Sequence, residues 1–171
     1  MHAERVTAIV EAAFGDALMA RAAALVAARG EAQIALLARA GERFVGFLQA
    51  SKVTIPGAPG RYAGIVPLAV LPAFQGRGIG SSLVLRALGD ARDLGLAALF
   101  VLGDPGFYRR FAFARSHIGN ALGATRGFMH FELSATALAG ISGTARYAEA
   151  FADAGVEAAD YIATRHRRGR S

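Results

Sequence analysis

The chain has 171 residues, a formal net charge of +6 and no cysteine. This length fits one domain with a sizeable buried core, and the lack of cysteine excludes disulfides, thiolate metal sites and a cysteine nucleophile. The longest uncharged run, residues 62–76, is shorter than the roughly 20 residues that a membrane-spanning helix needs. Charged residues also interrupt the apolar stretches near the N-terminus, so we expect no signal peptide and a cytoplasmic location.

Arginine dominates the basic residues, since Lys52 is the sole lysine, and part of the arginine lies in the last segment, residues 165–170. A basic run of this kind is compatible with binding to nucleic acid or to acidic partners. A frayed, solvated terminus is the simpler interpretation. We therefore predict one domain over residues 1–152, a helical or frayed basic tail over residues 153–171, and no nucleic-acid partner.

Two helical patterns open the chain. Apolar residues recur at helical spacing over residues 4–13, and Gly15 ends that pattern. Asp16 then precedes a second helix over residues 17–29 as its N-cap, and Gly30 ends it.

Three strand patterns follow the helices. Residues 34–39 form the first, residues 41–42 a turn, and residues 43–55 a long second strand. After a loop rich in proline and glycine, residues 62–70 form the third strand. Pro72 ends it, because proline has no N–H to donate to a neighbouring strand.

The remaining chain alternates between helix and strand. The patterns predict a helix over residues 81–94, a strand buried on both faces over residues 96–102, and a short helix around residues 107–111. A late strand covers residues 128–133, and the segment after Tyr147 is helical and then frayed. This order predicts an α+β fold with a mixed, mostly antiparallel sheet and helices on its faces. It does not fit a doubly wound nucleotide-binding fold or a β-barrel.

Three alternate glycines, Gly76, Gly78 and Gly80, lead from the third strand into the following helix. Glycine permits positive φ angles and lets a ligand approach the backbone closely. Successive N–H groups at a helix N-terminus form an anion site, and Arg77 adds a formal charge. The loop therefore suits a diphosphate.

Other interpretations of the loop stay open on its spacing alone. A Walker A loop needs a lysine after its last glycine, whereas Ser81 and Ser82 follow Gly80 here. A dinucleotide-binding fingerprint needs a third glycine where Ser81 stands, and Asp104 only loosely supplies its acidic residue. The glycines could also serve strand-to-helix packing without any ligand.

Beyond its spacing, the loop resembles the pyrophosphate-binding motif of the GNAT superfamily of N-acetyltransferases. That motif is Gln/Arg-x-x-Gly-x-Gly/Ala, and Gln75, Gly78 and Gly80 match it. The resemblance spans roughly residues 6–151. Three stretches within it resemble the YhbS-like branch of this superfamily: residues 67–80, 102–113 and 138–144.

The resemblance implies a GNAT-like fold and transfer of the acetyl group of acetyl-CoA to a primary amine, without a metal. It implies that the pantetheine arm lies beside the third strand, where Pro67 fits a local splay, and that Tyr108 is the general acid. Phe107, Phe111 and Phe113 are expected in the core. The implied cofactor-binding residues are Leu68, Ala69, Val70, Gln75, Gly76, Arg77, Gly78, Ile79, Gly80 and Ser81.

The chain departs from the superfamily in three respects. No strand pattern precedes the first helix, so we expect an exposed edge strand near Gln33, which makes a homodimer unsurprising. Ala112 replaces the first residue of a usual Gly-Phe pair. Gly103, Asp104 and Pro105 stand where many members carry an asparagine that contacts pantetheine.

No general base is evident from the sequence. Asp104, His117 and Glu11 can each accept a proton, but each is more simply structural or solvated. The acceptor is expected between the first two helices and the loops near Pro56 and His117. A non-catalytic acyl-CoA-binding module and a nucleic-acid-associated protein that uses the basic tail are the alternative functions.

Overall fold

The computed structural model describes residues 2–123 and 126–157, and every structural statement below concerns these residues. Helices and strands alternate along the chain much as the sequence predicts. The elements are α1 (Ala3–Phe14), α2 (Leu18–Ala28), β1 (Ala32–Ala40), β2 (Arg43–Val53), β3 (Tyr62–Val70), α3 (Ile79–Asp93), β4 (Ala98–Leu102), α4 (Pro105–Tyr108), β5 (Ala114–Arg115), β6 (Gly119–Asn120), β7 (Phe128–Glu132), β8 (Thr144–Ala145) and α5 (Glu149–Asp153). Short 3-10 turns cover Pro72–Phe74 and Arg109–Phe111.

Six strands form the main sheet in the order β1-β2-β3-β4-β7-β5, and β6 pairs with β8 separately. All neighbours in the main sheet are antiparallel except β3 and β4. The predicted α+β class with a mixed, mostly antiparallel sheet is therefore confirmed. Among the described residues no strand precedes α1, and β1 lies at the edge of the sheet, as expected for the segment near Gln33.

The predicted boundaries differ from the structure where glycine or short strands are involved. Helix α3 begins at Ile79, two residues before the predicted start, because Gly78 in the left-handed region serves as its N-cap. Strand β4 begins at Ala98, after the predicted start at Leu96. Strands β5, β6 and β8 have two residues each, which is too short to show a period of two in the sequence.

The sheet separates two apolar layers. Helices α1 and α2 cover one face, where Val10, Val26 and Phe100 are fully buried. Helix α3 covers the other face with Val84 and Leu88, and α4 adds Tyr108 to that layer. The alternation predicted for β7 is observed: Phe128 belongs to the first layer, whereas Met129, Phe131 and Leu133 pack in the second.

A bulge in β3 makes the sheet irregular at its centre. Leu48 pairs with Leu68 and Ala50 pairs with Ile65, so Gln49 faces two residues of β3, Val66 and Pro67. On the other side, β3 pairs with β4 only as far as Ile65 and Val101. Beyond the bulge β3 therefore has β2 on one side and no strand on the other. This is the splay that the resemblance implied at Pro67.

The end of the described chain packs against the core. Ala154 and Val156 are buried beside α2, and Arg29 forms an ion pair of 2.7 Å with Asp153. The basic run of the predicted tail, residues 165–170, lies outside the described residues. Within the described part of the chain, no helix combines the length and apolar character needed to cross a membrane.

His130 of β7 is a buried polar residue. Its Nδ1 lies 3.1 Å from Oγ of Ser116, and its Nε2 lies 3.9 Å from Oε1 of Glu132. Burial lowers the pKa of His130 from its usual 6.5, nearby His117 lowers it further, and Glu132 acts in the opposite direction. The folded protein therefore takes up a proton at His130 less readily than the unfolded chain does.

We expect the unfolding free energy to fall as pH drops through 6.5, and to level off below the lowered pKa of His130. The unfolded chain binds more protons in this window, so stability rises with pH there. His130→Asn should flatten this decline between pH 7 and pH 5 in urea titrations, whereas His2→Asn, an exposed control, should not. An unchanged slope in His130→Asn would show that other groups cause the decline.

Candidate functional site

A cleft of about 740 Å³ passes through the sheet where β3 and β4 separate. On the α3 side it is lined by Gln75, Gly76 and residues 78–81, and on the α1–α2 side by Ala13, Phe14 and Met19. The opening exists because the parallel pairing of β3 and β4 stops at Ile65. A long molecule can therefore lie across the sheet with its two ends on opposite faces.

The first wall of the cleft is the glycine loop. Gly76 and Gly78 have φ angles of 75° and 80°, which a residue with a side chain rarely adopts. Gly78 is the N-cap of α3 and no side chain caps this helix. The first N–H groups of a helix have no acceptor within the helix, and the dipole adds positive potential there. The loop thus presents donors to an anion.

The second wall is the open edge of β3. The N–H of Leu71 donates to the carbonyl of Val45 at 2.8 Å, so the main chain of Leu71 faces β2. Because main-chain groups alternate in direction along a strand, those of Ala69 also face β2, whereas those of Leu68 and Val70 face the gap. The side chain of Gln75 donates from Nε2 to the carbonyl of Val70 at 2.9 Å. This bond ties the glycine loop to the open edge.

The third wall is α4 with Tyr108. The Tyr108 ring is 8% exposed and makes edge-on contacts with Phe107 and Phe113, at centroid distances of 5.0 and 5.5 Å. A Cβ at Gly103 would lie 2.9 Å from the Tyr108 ring, so a side chain there would displace the ring. Asp104 starts α4 by accepting the N–H of Gly106 at 3.0 Å. Its carboxylate is thereby engaged in capping.

Phe107 brings the first and third walls together. A Cβ at Gly80 would lie 3.6 Å from the Phe107 ring, so the start of α3 and α4 are in van der Waals range. Phe107 and Phe111 are partly buried and pack against the apolar layer beneath α3, and Phe107 also lines the cleft. Phe113 is buried, as expected.

The cleft brings together most of the predicted site residues. Ala69 and Arg77 do not line it. The side chain of Arg77 lies over the Phe74 ring at 5.2 Å and borders a neighbouring groove with residues 36–39. The predicted residues that line the cleft are Leu68, Val70, Gln75, Gly76, Gly78, Ile79, Gly80, Ser81 and Tyr108.

The candidate bases are dispersed. Asp104 lines the cleft, whereas Glu11 is exposed on α1 and His117 lies beside the carbonyl of Leu138 at 3.3 Å. Neither Glu11 nor His117 lines the cleft, and Pro56, in the loop that precedes β3, does not line it either. Within the described ranges no three metal-ligating side chains cluster.

Sequence reasoning missed Met19, Arg110 and Arg126 as lining residues. Met19 and Arg126 are brought to the cleft by sheet order and helix packing, which a sequence pattern does not contain. Arg110 could have been predicted from the sequence, because it lies two residues after the predicted site residue Tyr108 in the short helical segment.

Residues 4–113 match the family model described as the acetyltransferase (GNAT) family. The chain is 33% identical over 111 residues to the uncharacterized N-acetyltransferase YhbS of Escherichia coli K12. The matched region covers 63% of this chain and 66% of that protein, slightly less than two thirds of its length. It is 34% identical over 83 residues to the uncharacterized N-acetyltransferase YjhQ of the same organism, over 47% of this chain and 45% of that one.

Solved structures that share the fold include two with a bound CoA species. The GNAT family N-acetyltransferase YhbS from Escherichia coli, in complex with CoA, has a TM-score of 0.83 and 28% identity, over 88% of this chain and 86% of that chain. A GNAT family acetyltransferase from Brucella melitensis, in complex with acetyl-CoA, has a TM-score of 0.75 and 28% identity, over 88% and 92%. The family model covers more than half of the chain, and the fold agrees over most of it. The chain is a member of the GNAT family of acetyltransferases.

Proposed function

We propose that this protein transfers the acetyl group of acetyl-CoA to a primary amine by direct attack of the amine on the thioester. The observation that carries the proposal is the parting of β3 and β4 directly beside an uncapped, glycine-rich helix start. An anion site and an open strand edge in one cleft match the diphosphate and the pantetheine arm of a CoA thioester. Relatives of the same fold bind CoA and acetyl-CoA.

The diphosphate of CoA belongs at the glycine loop. Main-chain N–H groups from Gly76 to Ser81 supply donors, and the dipole of α3 supports the negative charge. A side chain at Gly78 would need a left-handed backbone and would extend toward the anion. Arg77, whose guanidinium lies over Phe74, contributes to the potential at longer range and not by contact.

The pantetheine arm belongs in the gap between β3 and β4. Its amides can pair with the main-chain groups of Leu68 and Val70, which face the gap, as an added strand would. This assignment places the thioester near the bulge at Val66 and Pro67, at the centre of the sheet. A main-chain N–H at the open edge can stabilise the oxyanion that develops on the thioester oxygen.

In the reaction the amine nitrogen forms a bond to the thioester carbon, and the carbon–sulfur bond breaks. The nitrogen loses one proton and the departing sulfur gains one, so the products are an amide and free CoA. Tyr108 lines the cleft and carries the hydroxyl assigned to the sulfur. A phenol has a reference pKa near 10 and a thiol about 8.5, so complete proton transfer from Tyr108 to the sulfur is uphill. We therefore assign to the Tyr108 hydroxyl a hydrogen bond to the sulfur.

The proton of the amine has no evident protein acceptor in the cleft. Among residues 2–123 and 126–157, Asp104 is the sole carboxylate that lines the cleft, and it is engaged at the start of α4. Water therefore accepts this proton, and amines of lower pKa are favoured as substrates. The same observation favours the second candidate function, a non-catalytic acyl-CoA-binding module.

Acetyl-CoA should bind to the wild-type protein and should bind at least tenfold more weakly to Gly78→Glu in calorimetric titrations, because a carboxylate then competes with the diphosphate. Gly95→Glu is the matched control, since Gly95 also has a positive φ of 67° and open space around it, but follows the end of α3. Equal loss of binding in both variants would point to backbone strain, and no loss in Gly78→Glu would remove the diphosphate from this loop.

Tyr108→Phe should lower the rate of amine-dependent CoA release by about 100-fold, while the affinity for acetyl-CoA changes less than twofold. The substitution keeps the ring that packs against Phe107 and Phe113 and removes only the hydroxyl. The rate is followed as free thiol with a panel of primary amines. A folded wild-type protein that binds acetyl-CoA and releases no CoA with any amine would support the binding module instead.

A further inference from the structure

In the part of the chain that the structure describes, three charged side chains line the cleft, and two of them are already engaged. Asp104 caps α4. The guanidinium of Arg110 lies 4.8 Å from the centroid of the Phe107 ring, and its Nε donates to the carbonyl of Phe107 at 3.3 Å. The third is Arg126, which is exposed. Within the described ranges no carboxylate forms an ion pair with Arg126.

Arg126 is held at the splayed end of β4. The carbonyl of its neighbour Gly127 accepts the N–H of Gly103 at 3.0 Å, and Gly103 directly follows β4. A Cβ at Gly127 would collide with the carbonyl oxygen of Gly103, so the two chain segments are in close contact. Arg126 therefore lies across the gap from the open edge of β3, not on the glycine loop.

The pantetheine arm proposed for the gap carries no charge, and the diphosphate is assigned to the glycine loop. Neither of these two parts of the cofactor therefore uses the cation of Arg126 at this position. The 3′-phosphate of CoA lies beyond the diphosphate, on the adenosine, and so further from the gap that holds the arm. The acceptor must then enter from the α1–α2 side, because the cofactor approaches from the side of α3. On that side the lining includes the apolar residues Ala13, Phe14, Met19, Val66 and Leu102.

We propose that the acceptor is a small amine that carries a carboxylate next to an apolar group, and that Arg126 binds the carboxylate. This inference rests on the proposed acetyl transfer for the identity of the amine as a substrate. Arginine binds carboxylates through two parallel N–H donors, which fixes the orientation of the ligand as well as its affinity. The apolar group then packs against Phe14 and Met19.

The charge of Arg126 also helps the amine to lose its proton in a cleft that has no evident general base. A nearby cation favours the neutral form of an amine, and a carboxylate on the same molecule favours the protonated form. Pairing the carboxylate with Arg126 offsets the second effect and leaves the nitrogen more easily deprotonated by water. Polycationic acceptors gain nothing from this arrangement, because Arg126 and Arg110 repel them.

The test measures binding to the protein saturated with free CoA, so that no acetyl transfer occurs. Three isosteric pairs serve as probes: phenylalanine, leucine and methionine, each against its own amide. We expect the carboxylate member of at least one pair to bind at least tenfold more tightly than the amide by calorimetry. Arg126→Ala should abolish this difference while the affinity for CoA changes less than twofold. Arg115→Ala, at an exposed arginine outside the cleft, should leave both unchanged.

Each other outcome has a defined meaning. No preference for the carboxylate in any pair overturns the inference, as does a preference that survives Arg126→Ala. A tenfold loss of CoA affinity in Arg126→Ala also overturns it, because the arginine then belongs to the cofactor. Carboxylate-dependent binding without acetyl transfer from acetyl-CoA keeps the inference and rejects the proposed function. Acetyl transfer to the amides and to the acids at equal rates would reject the inference and keep the proposed function. The N-terminal amine of a polypeptide would then be a candidate acceptor.

Discussion

The bulge at Val66 and Pro67 is the feature on which the rest of the site depends. A strand edge in a protein interior must find partners for its N–H and carbonyl groups, and β3 loses the partner on its β4 side beyond Ile65. Proline suits this position because it has no N–H to leave unpaired. The irregularity separates two strands in the middle of the sheet and so creates a passage between its faces.

The helical layers on both faces of the sheet are joined to β2 and β3 near this bulge. Gln49, which faces the bulge from β2, is buried and donates from Nε2 to the carbonyl of Ala23 at 3.2 Å, so α2 is tied to this point of the sheet. On the opposite face Gln75 ties the glycine loop to Val70. The two helical layers that border the cleft are thereby each connected to the strand that opens it. This arrangement preorganises the walls before any ligand binds.

The local features were predictable from sequence because short-range chemistry decides them. The bounds of β3 follow from the apolar run and Pro72. The glycines predict that a helix follows the loop, although α3 begins two residues before the predicted start. The GNAT fold follows from the motif at Gln75, Gly78 and Gly80, which fixes a known strand–loop–helix arrangement. The position of Pro67 at a splay was likewise implied by the resemblance and agrees with the strand register.

What depends on distant contacts was not predictable. Arg126 reaches the cleft through the pairing of Gly127 with Gly103, and Met19 reaches it through the packing of α2 on the sheet. The acceptor was expected between the first two helices and the loops near Pro56 and His117, which stays a prediction. Residues of both helices line the cleft, whereas Pro56 and His117 do not. The role of Arg77 in cofactor binding, which its place in the motif implied, stays a prediction. Its side chain lies over the Phe74 ring and does not line the cleft.

Amide hydrogen exchange of single residues, with and without acetyl-CoA, tests the central claim most directly. If the thioester arm pairs with the open edge of β3, the amides of Leu68 and Val70 should become protected on binding. The amide of Ala69, which already faces β2, should change little. Protection of the glycine loop alone, with Leu68 and Val70 unchanged, would contradict the claim that the gap between β3 and β4 receives the cofactor.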